Sequence, residues 1–587
     1  MVAGLVALAM TAVAAGCATT PAPVAKIVAG RVVLARPIHP DAYEHVARAQ
    51  LFQEEERWEE AIAELERAIS FDHDAPELHA QIAELELELG REDRAAKAAE
   101  ESLGIAETPT GLIALAHVRQ RRHDAPGAVS ALRRATEITS FADEGDLAAS
   151  AYLELADAQI EALDLEGARA TLRELADQVP AQAVARIRVA SVAGSLGAMK
   201  EVEDRLHEAL AIEPNHIEAL LTLAWLATAS GKLDDAHARF SEALERAEGA
   251  LDVATAFARF LVLAGKPAEA AQLADDLAPN GDDETLFDRI ELCRAAHRLE
   301  RALTLAQERR LRSEISIEMA ARLDLVIADL LDEKSPNEAV AVLLRIPRTA
   351  PAFTSARLRA SELRREAGQY ADARRLLGEI ETDPPSESLR DDIVVAQATL
   401  DEKMNAPTAA GARLATAIGK RPKSARLRLA YAGLLERQGQ VPEALAQAEA
   451  LLADEPGNAE ALNFWGFLAV EHQVQLPRAT RRIQAALSFD PGSGAILDSL
   501  GWAHLQAGNV SEATPFLEQA QRLEPEDPEI LAHLALLLER QGQRERALVH
   551  VKKALGRAPS ATLKQRLEGQ LLRLEGEAKA TKGEKTK

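Results

Sequence analysis

The side chains that could do chemistry are scattered along this 587-residue chain rather than grouped. The nearest thing to a cluster is a set of four histidines, a residue type that binds transition metals, at His39, His45, His73 and His79. The sequence has no phosphate-binding loop, paired-histidine metalloprotease helix, nucleophile elbow or paired-cysteine zinc spacing. We therefore predict a protein that is not an enzyme and that holds neither a metal nor a cofactor.

The two cysteines have different surroundings. Cys293 lies in a helical pattern, where we interpret it as a small buried side chain rather than a nucleophile. Cys17 ends an uncharged and almost wholly apolar run, Val2 to Gly16, which is too short to span a bilayer. The position of Cys17 makes it the candidate site of a modification.

The run Val13-Ala-Ala-Gly-Cys17 resembles a bacterial lipobox. That resemblance implies cleavage after Gly16, acylation of Cys17 (palmitate among the acyl groups) and membrane attachment through this lipid. Because Ala18 is not Asp, it also implies an outer-membrane lipoprotein that faces the periplasm. Ala14 stands where Leu is usual and no basic residue precedes the run, so an ordinary secretory signal is the alternative.

The composition favours helices and disfavours nucleic acid as a partner. Ala, Leu, Glu and Arg, which are good helix formers, dominate the chain from about Asp41 to Gly556. Aromatic residues make up 3%, and clusters of strand-forming residues bounded by turns are nearly missing, so we predict no sheet. The net charge of −25 is opposite in sign to what phosphate neutralisation requires.

A repeat with a period near 34 residues organises these helices. A small residue, here called the anchor, opens the second helix of each of fifteen units. Successive anchors are 32 to 40 residues apart. They are Ala61, Ala95, Ala128, Ala168, Val202, Ala236, Ala270, Ala302, Ala339, Ala373, Ala410, Ala444, Ala479, Ala513 and Ala547.

Other positions keep the same register. A proline lies twelve residues after the anchor in nine of the fifteen units, where the 26 prolines of the chain would place about one by chance. Proline ends a helix there because it lacks an N–H and clashes with the preceding turn. Small residues also recur twelve before and seven after the anchor, for example at Ala49 and Ala68. Such residues let neighbouring helices approach closely.

This pattern resembles the tetratricopeptide repeat over roughly residues 41–560. The resemblance is best in Asn463-Phe-Trp-Gly-Phe-Leu-Ala and in Leu497-Asp-Ser-Leu-Gly-Trp-Ala, which is followed by Ala513 and Pro525. It implies an all-α fold, a right-handed superhelical solenoid of about 15 helix-turn-helix units. It also implies that other proteins bind on the concave surface.

Two tryptophans are the candidate partner-binding residues. Trp225 and Trp502 both lie eleven residues before an anchor, the ninth position of the repeat, which in the family faces the concave groove. Asp498 precedes Trp502 by one helical turn on the same face. We predict that these three residues contact a partner; the alternative is that the tryptophans are wedged between neighbouring first helices. Trp58 and Trp465 are predicted to be core residues.

The predicted domain organisation follows the chain. Its parts are a signal peptide (1–16), an extended tether (17–40), an N-terminal array (41–280), a weak repeat or break (281–317), a C-terminal array (318–560), a capping helix (561–574) and a disordered Lys-rich tail (575–587).

We therefore expect a non-enzymatic scaffold, anchored by lipid in the bacterial envelope, that binds other proteins. By analogy with tetratricopeptide lipoproteins it would assist pilus or secretin assembly, outer-membrane protein insertion or polysaccharide export. The alternatives are a soluble periplasmic or cytoplasmic regulator and a non-catalytic subunit of a polysaccharide-modifying complex.

Overall fold

The computed structural model describes residues 24–28, 31–35, 39–142, 144–278, 284–312, 314–332, 334–380, 387–557 and 560–584. The predicted signal peptide and Cys17 lie outside these residues. The chain forms two compact units, Met1–Ala158 and Gln159–Lys587. Among the described helices, none combines the length and the apolarity needed to cross a membrane.

The helices follow one another as short rods joined by tight turns. The first unit contains α1 (Pro40–Glu54), α2 (Trp58–Phe71), α3 (Pro76–Glu88), α4 (Glu92–Ile105), α5 (Pro109–Arg121) and α6 (Ala125–Ile138), and the division between units falls within α7 (Gly145–Glu161). The second unit contains α8 (Leu165–Gln178), α9 (Ala183–Ser195), α10 (Met199–Ile212), α11 (Ile217–Ala229), α12 (Leu233–Arg246), α13 (Leu251–Leu263), α14 (Pro267–Leu277), α15 (Leu286–Ala295), α16 (Leu299–Arg310), α17 (Ile317–Leu331), α18 (Pro336–Leu344), α19 (Phe353–Glu366), α20 (Tyr370–Ile380), α21 (Glu387–Lys403), α22 (Pro407–Lys420), α23 (Ala425–Arg437), α24 (Val441–Asp454), α25 (Ala459–Glu471), α26 (Leu476–Phe489), α27 (Gly494–Gln506), α28 (Val510–Leu523), α29 (Pro528–Arg540), α30 (Arg544–Leu555) and α31 (Ala561–Glu584).

A short hairpin precedes the helices. Strands β1 (Val24–Val28) and β2 (Arg31–Ala35) pair antiparallel, with Val24 opposite Ala35. The prediction that the chain has no sheet, and that residues 17–40 form only an extended tether, was wrong for these ten residues. Both strands are rich in valine and isoleucine, which favour extended backbone, so the signal was local composition.

The anchors explain why the helices pair. Every anchor alanine is 0% exposed, and Val202, the one larger anchor, is 6% exposed. A methyl side chain at the crossing point lets two helices approach closely, and leucines above and below fill the layers between them. The predicted all-α fold of repeated helix pairs is therefore confirmed for the described residues from 39 onward.

The turn inside each helix pair has a recurring backbone conformation that was not predicted. A residue five places before the anchor takes a left-handed conformation in most of the fifteen repeats, for example Gly508 at φ +83°. Leu163 adopts the same conformation at φ +61° without being glycine. Because this conformation is costly for a residue with a Cβ, the glycines at this place are part of the repeat signal.

Close packing leaves no room for a side chain at Gly501, the glycine inside α27, and this can be tested. A methyl group added at Gly501 would lie 2.6 Å from Leu517 Cγ and 3.1 Å from the Leu517 backbone nitrogen. Gly501→Ala is therefore expected to lower the free energy of unfolding by about 1–3 kcal/mol. At Gly433 in α23 the nearest atom is the flexible end of Arg437, at 3.3 Å. Gly433→Ala is the matched control, with an expected gain of up to about 1 kcal/mol in urea denaturation. Equal effects at the two sites would contradict this packing.

The structure bears on the predicted boundaries in two places: it has a helix pair where a weak repeat or break was predicted, and its last helix is longer than predicted. Residues 281–317, predicted as a weak repeat or break, contain the pair α15 and α16, and one continuous core cluster joins this pair to its neighbours on both sides. At the C-terminus, α31 continues to Glu584, ten residues past the predicted end of the capping helix. The predicted disordered tail is therefore helical up to Glu584, in a stretch where seven of ten residues are Ala, Glu or Lys, which are good helix formers.

Candidate protein-binding groove

The first helices of successive pairs lie side by side in each unit, for example α3 beside α5 and α19 beside α21. The groove face is here defined as the face of the first helices that carries the residue eleven places before the anchor. His117 holds this place on α5, and its ring contacts Glu84 at the same place on α3. It also contacts Glu154 on α7, so the groove face continues from pair to pair.

His117 is held by two carboxylates. Its Nδ1 lies 2.8 Å from Glu84 Oε1 and its Nε2 lies 3.1 Å from Glu154 Oε2. Burial disfavours the charged ring, but hydrogen bonds to Glu154 and Glu84 outweigh burial and raise the pKa of His117 to about 10. A protonated ring therefore links three successive first helices near neutral pH.

This link predicts a pH-dependent contribution to stability. Because the folded-state pKa is raised above the unfolded value of about 6.5, the contribution is complete below about pH 6.5. It is lost as the pH rises through about 10. His117→Gln should therefore destabilise the protein clearly at about pH 6 and very little above about pH 10.5. Urea denaturation of both proteins at the two pH values measures this; a pH-independent difference would mean that His117 acts through packing alone.

Trp502 does not lie open on the groove face, contrary to the prediction. It is 6% exposed, and its ring stacks on His533 of the next first helix with centroids 4.1 Å apart. His533 Nδ1 lies 2.8 Å from Asp498 Oδ2, and Asp498 is 5% exposed. Burial disfavours the charged imidazole, but the Asp498 carboxylate holds the pKa of His533 above its usual range. The structure thus brings the two predicted site residues together, but in a buried cluster.

Trp225 also packs against the protein. Its ring meets Phe240 edge-on with centroids 5.0 Å apart, and it lies half-buried beside the core that contains Phe260. The alternative interpretation, tryptophans wedged between helices, therefore describes both residues. Trp465 is 3% exposed, as predicted for a core residue, whereas Trp58 is only half-buried against the core of the first unit.

The groove face is open instead on α19, α21 and α23, where a cavity of about 400 Å³ lies. Helices α19 and α21 contribute residues three or four apart, which share one face, and α23 contributes Arg426. The floor is apolar, with Leu358, Val395 and Ala396, and Thr399 lies eleven places before the anchor Ala410. The polar residues around it are Ser355, Arg359, Ser361, Glu362, Arg365, Asp392 and Arg426.

The charges around this cavity are balanced by ion pairs. Arg359 contacts Glu362 at 3.1 Å and Asp329 at 3.4 Å, and Arg426 contacts Asp392 at 3.0 Å. Burial disfavours the charged guanidinium, but the hydrogen bond to Glu362 and the neighbouring carboxylates outweigh it and raise the pKa of Arg359. The cavity thus offers an apolar floor with fixed polar groups at its edge, an arrangement that suits a polypeptide segment.

This cavity was not predicted from the sequence, because the prediction considered only large aromatic residues at the ninth position of the repeat. A tryptophan at that position fills the space between first helices, as Trp502 does against His533. Thr399 is small enough to leave the space open, and Gly433 stands at the same position of the next unit. The informative signal was therefore the small side chains of Thr399 and Gly433 at the ninth position of two successive repeats.

The remaining candidates hold no reactive arrangement. Cys293 is 0% exposed, which confirms its interpretation as a small buried side chain, and burial raises the pKa of its thiol. His45 contacts Glu64 at 2.6 Å and His79 contacts Glu101 at 3.3 Å. Within the part of the chain that the structure describes, no three His, Cys, Asp or Glu side chains are grouped so that they could hold a metal ion.

Comparison with known protein families matches these helix pairs in several places. Three models, each of the tetratricopeptide repeat, match residues 403–464 and 504–571, residues 46–111, and residues 150–181. A tetratricopeptide repeat-containing protein of Pseudomonas aeruginosa is 24% identical over 182 residues, which is 31% of this chain and 30% of the relative. The chain therefore spans about a third of that relative's length.

Two solved structures to which this chain is similar are yeast Tom70 and a complex of Cut9 and Hcn1. Yeast Tom70 is 15% identical, with a TM-score of 0.38, and the alignment covers 74% of this chain and 97% of Tom70. The Cut9–Hcn1 hetero-tetramer of the APC/C is 16% identical, with a TM-score of 0.32 and coverage of 86% of this chain and 98% of the other.

Proposed function

The chain is a tetratricopeptide repeat protein, and from that premise we propose that it is a lipid-anchored scaffold of the bacterial envelope. Its repeats make it a protein-interaction scaffold. The partner contributes an extended segment that lies on the groove face of α19, α21 and α23. The cavity between these helices is the observation that carries this proposal.

The chemistry of the cavity indicates the kind of segment that it binds. An apolar side chain would cover Leu358 and Val395, which are the floor of the cavity. The polar groups of the segment would meet Ser355, Glu362 and Arg365 at the edge. Because the arginines are already paired with carboxylates, recognition depends on shape and apolar contact more than on net charge.

Crosslinking tests this placement directly. A photo-crosslinking amino acid in place of Ser355, which lines the cavity, is expected to give adducts with another protein in native membranes. The same amino acid at Thr416, an exposed position on the second helix α22, is the control and should give few adducts. Adducts that form equally at both positions, or only within the chain, would count against the cavity as the binding site.

The anchor is supported by the apolar run that ends at Cys17 and by the small residues before it. We expect Cys17→Ser to abolish labelling with a fatty acid and to release nearly all of the protein from the membrane fraction. Metabolic labelling followed by fractionation measures both results. Wild-type protein that stays unlabelled would show that it is not a lipoprotein, and mutant protein that stays in the membrane would show that a partner retains it.

A further inference from the structure

Two distant parts of the second unit touch. The first helix α9 contacts the second helix α26, and α11 likewise contacts α28. The hydroxyl of Ser191 donates a hydrogen bond of 2.7 Å to the carbonyl oxygen of Ser488, which is 297 residues away in the chain. Close by, a methyl group added at Gly197 would lie 3.4 Å from Cζ of the Phe516 ring. The groove face of one helix pair is therefore covered by the outer side of another.

Burial at the contact departs from the repeat pattern on both sides. Ala485, six places after its anchor, is 0% exposed, whereas Arg67 and Arg134 at the same place in other units are exposed. On α9, Ser195 lies seven places before its anchor and is 0% exposed, whereas Glu54 at that place in α1 is exposed. Ser195 lies one helical turn from Ser191, and Ala485 lies one turn from Ser488, so both share the faces that meet at the contact.

The residue types at the contact between α9 and α26 allow the two helices to lie close together. The groove face of α9 carries Ser191 and Ser195, where α3 carries Glu84 and Glu88 at the same places. The facing side of α26 carries Ala485 and Ser488. Small side chains on both helices let the two backbones approach closely enough for the serine hydroxyl to reach a main-chain carbonyl.

We propose that α26 is an intrachain latch that reversibly occupies the groove face of α9. When it is closed, this part of the groove is withheld from partner proteins. When it opens, the face becomes a docking surface for a helix with small side chains, of the kind that α26 presents. The contact of α26 with α9 is smaller than the packing of α26 on α25 inside its own pair, so it can open while the repeats stay folded.

The test uses cysteine accessibility in the full-length chain with Cys17→Ser and Cys293→Ala. Ser191→Cys is expected to react with a maleimide at least tenfold more slowly than Gln50→Cys, which is exposed at the same register position of α1. Adding Ala485→Glu should open the latch and accelerate the reaction of Ser191→Cys at least tenfold. The matched control Ala450→Glu, at the same register position of α24 and outside the contact, should leave the rate unchanged.

Each result decides the proposal. Ser191→Cys that reacts as fast as Gln50→Cys would show that the latch is not closed in solution. A cysteine that never reacts while circular dichroism shows folded protein would show that it does not open. If Ala485→Glu loses its helicity, Ala485→Gln replaces it with the same expected direction. Loss of partner binding at the α19–α23 cavity would leave these rates unchanged, so the two proposals fail separately.

Discussion

Replacing Trp502 by Ala is expected to lower the free energy of unfolding by about 3–5 kcal/mol, the range usual for truncating a buried tryptophan. The indole is 6% exposed and stacks on His533, with an interplanar angle of 17°. Its removal would leave a void beside a buried ion pair, where the surrounding helices can collapse only in part. The same residue, left open on a groove, would have had almost no effect on stability.

Loss of the Trp502 indole would also destabilise the protein through its neighbour His533. This imidazole is 3% exposed, and its Nδ1 lies 2.8 Å from Asp498 Oδ2. The tryptophan ring helps to hold the imidazole in place, so its loss would admit water to the pair and weaken it. Trp502→Phe keeps an aromatic ring against His533 and is expected to cost clearly less than Trp502→Ala.

Two measurements separate this account from the partner-binding interpretation. Chemical denaturation gives the stability, and because repeat arrays need not unfold in one step, hydrogen exchange in α27 and α29 should locate the loss. We expect faster exchange in both helices of the Ala variant. An unchanged denaturation curve together with weakened partner capture would show that Trp502 is a binding residue after all.

The repeat framework was predictable because the small residues that recur in the sequence are the same residues that let the helices pack. Ala61 and its fourteen counterparts recur 32 to 40 residues apart, since a small side chain lets two helices cross closely, and each is buried as expected. The hairpin was missed for the opposite reason. Val24–Val28 and Arg31–Ala35 form one short pair with no repeat to amplify the signal, and polar, turn-rich sequence surrounds them.

The candidate site was predictable only in part. Register placed Trp502 and Asp498 on the groove face correctly, but burial there depends on the next helix, which supplies His533 from 35 residues away. The cavity on α19 and α21 depends likewise on which neighbours are small. The latch between α9 and α26 joins residues 297 apart in the chain, and a local sequence pattern does not contain such a contact.

Thr399→Trp is expected to weaken partner capture at least tenfold, which corresponds to about 1.4 kcal/mol or more. Thr399 lines a cavity that has room for an indole ring. Trp502 fills the corresponding space in its own repeat, where it stacks on His533. A large ring there would cover Val395 and the rest of the apolar floor, and would take the place of the partner's side chain. Because it fills a cavity and displaces no packed residue, stability should change by less than about 1 kcal/mol.

The matched control is Thr416→Trp on the neighbouring second helix. Both threonine hydroxyls donate to the carbonyl four residues earlier, Val395 for Thr399 and Ala412 for Thr416, so the two substitutions remove the same local bond. They differ in surroundings, since Thr416 is exposed and lies outside the cavity.

The most direct test is therefore quantitative capture of partner proteins from native membranes by wild type, Thr399→Trp and Thr416→Trp, with mass spectrometry of the bound proteins. The account predicts that a defined set of proteins is retained by wild type and Thr416→Trp and is lost with Thr399→Trp, while all three chains stay equally helical. Equal capture by Thr399→Trp and wild type would contradict the claim that this cavity holds the partner.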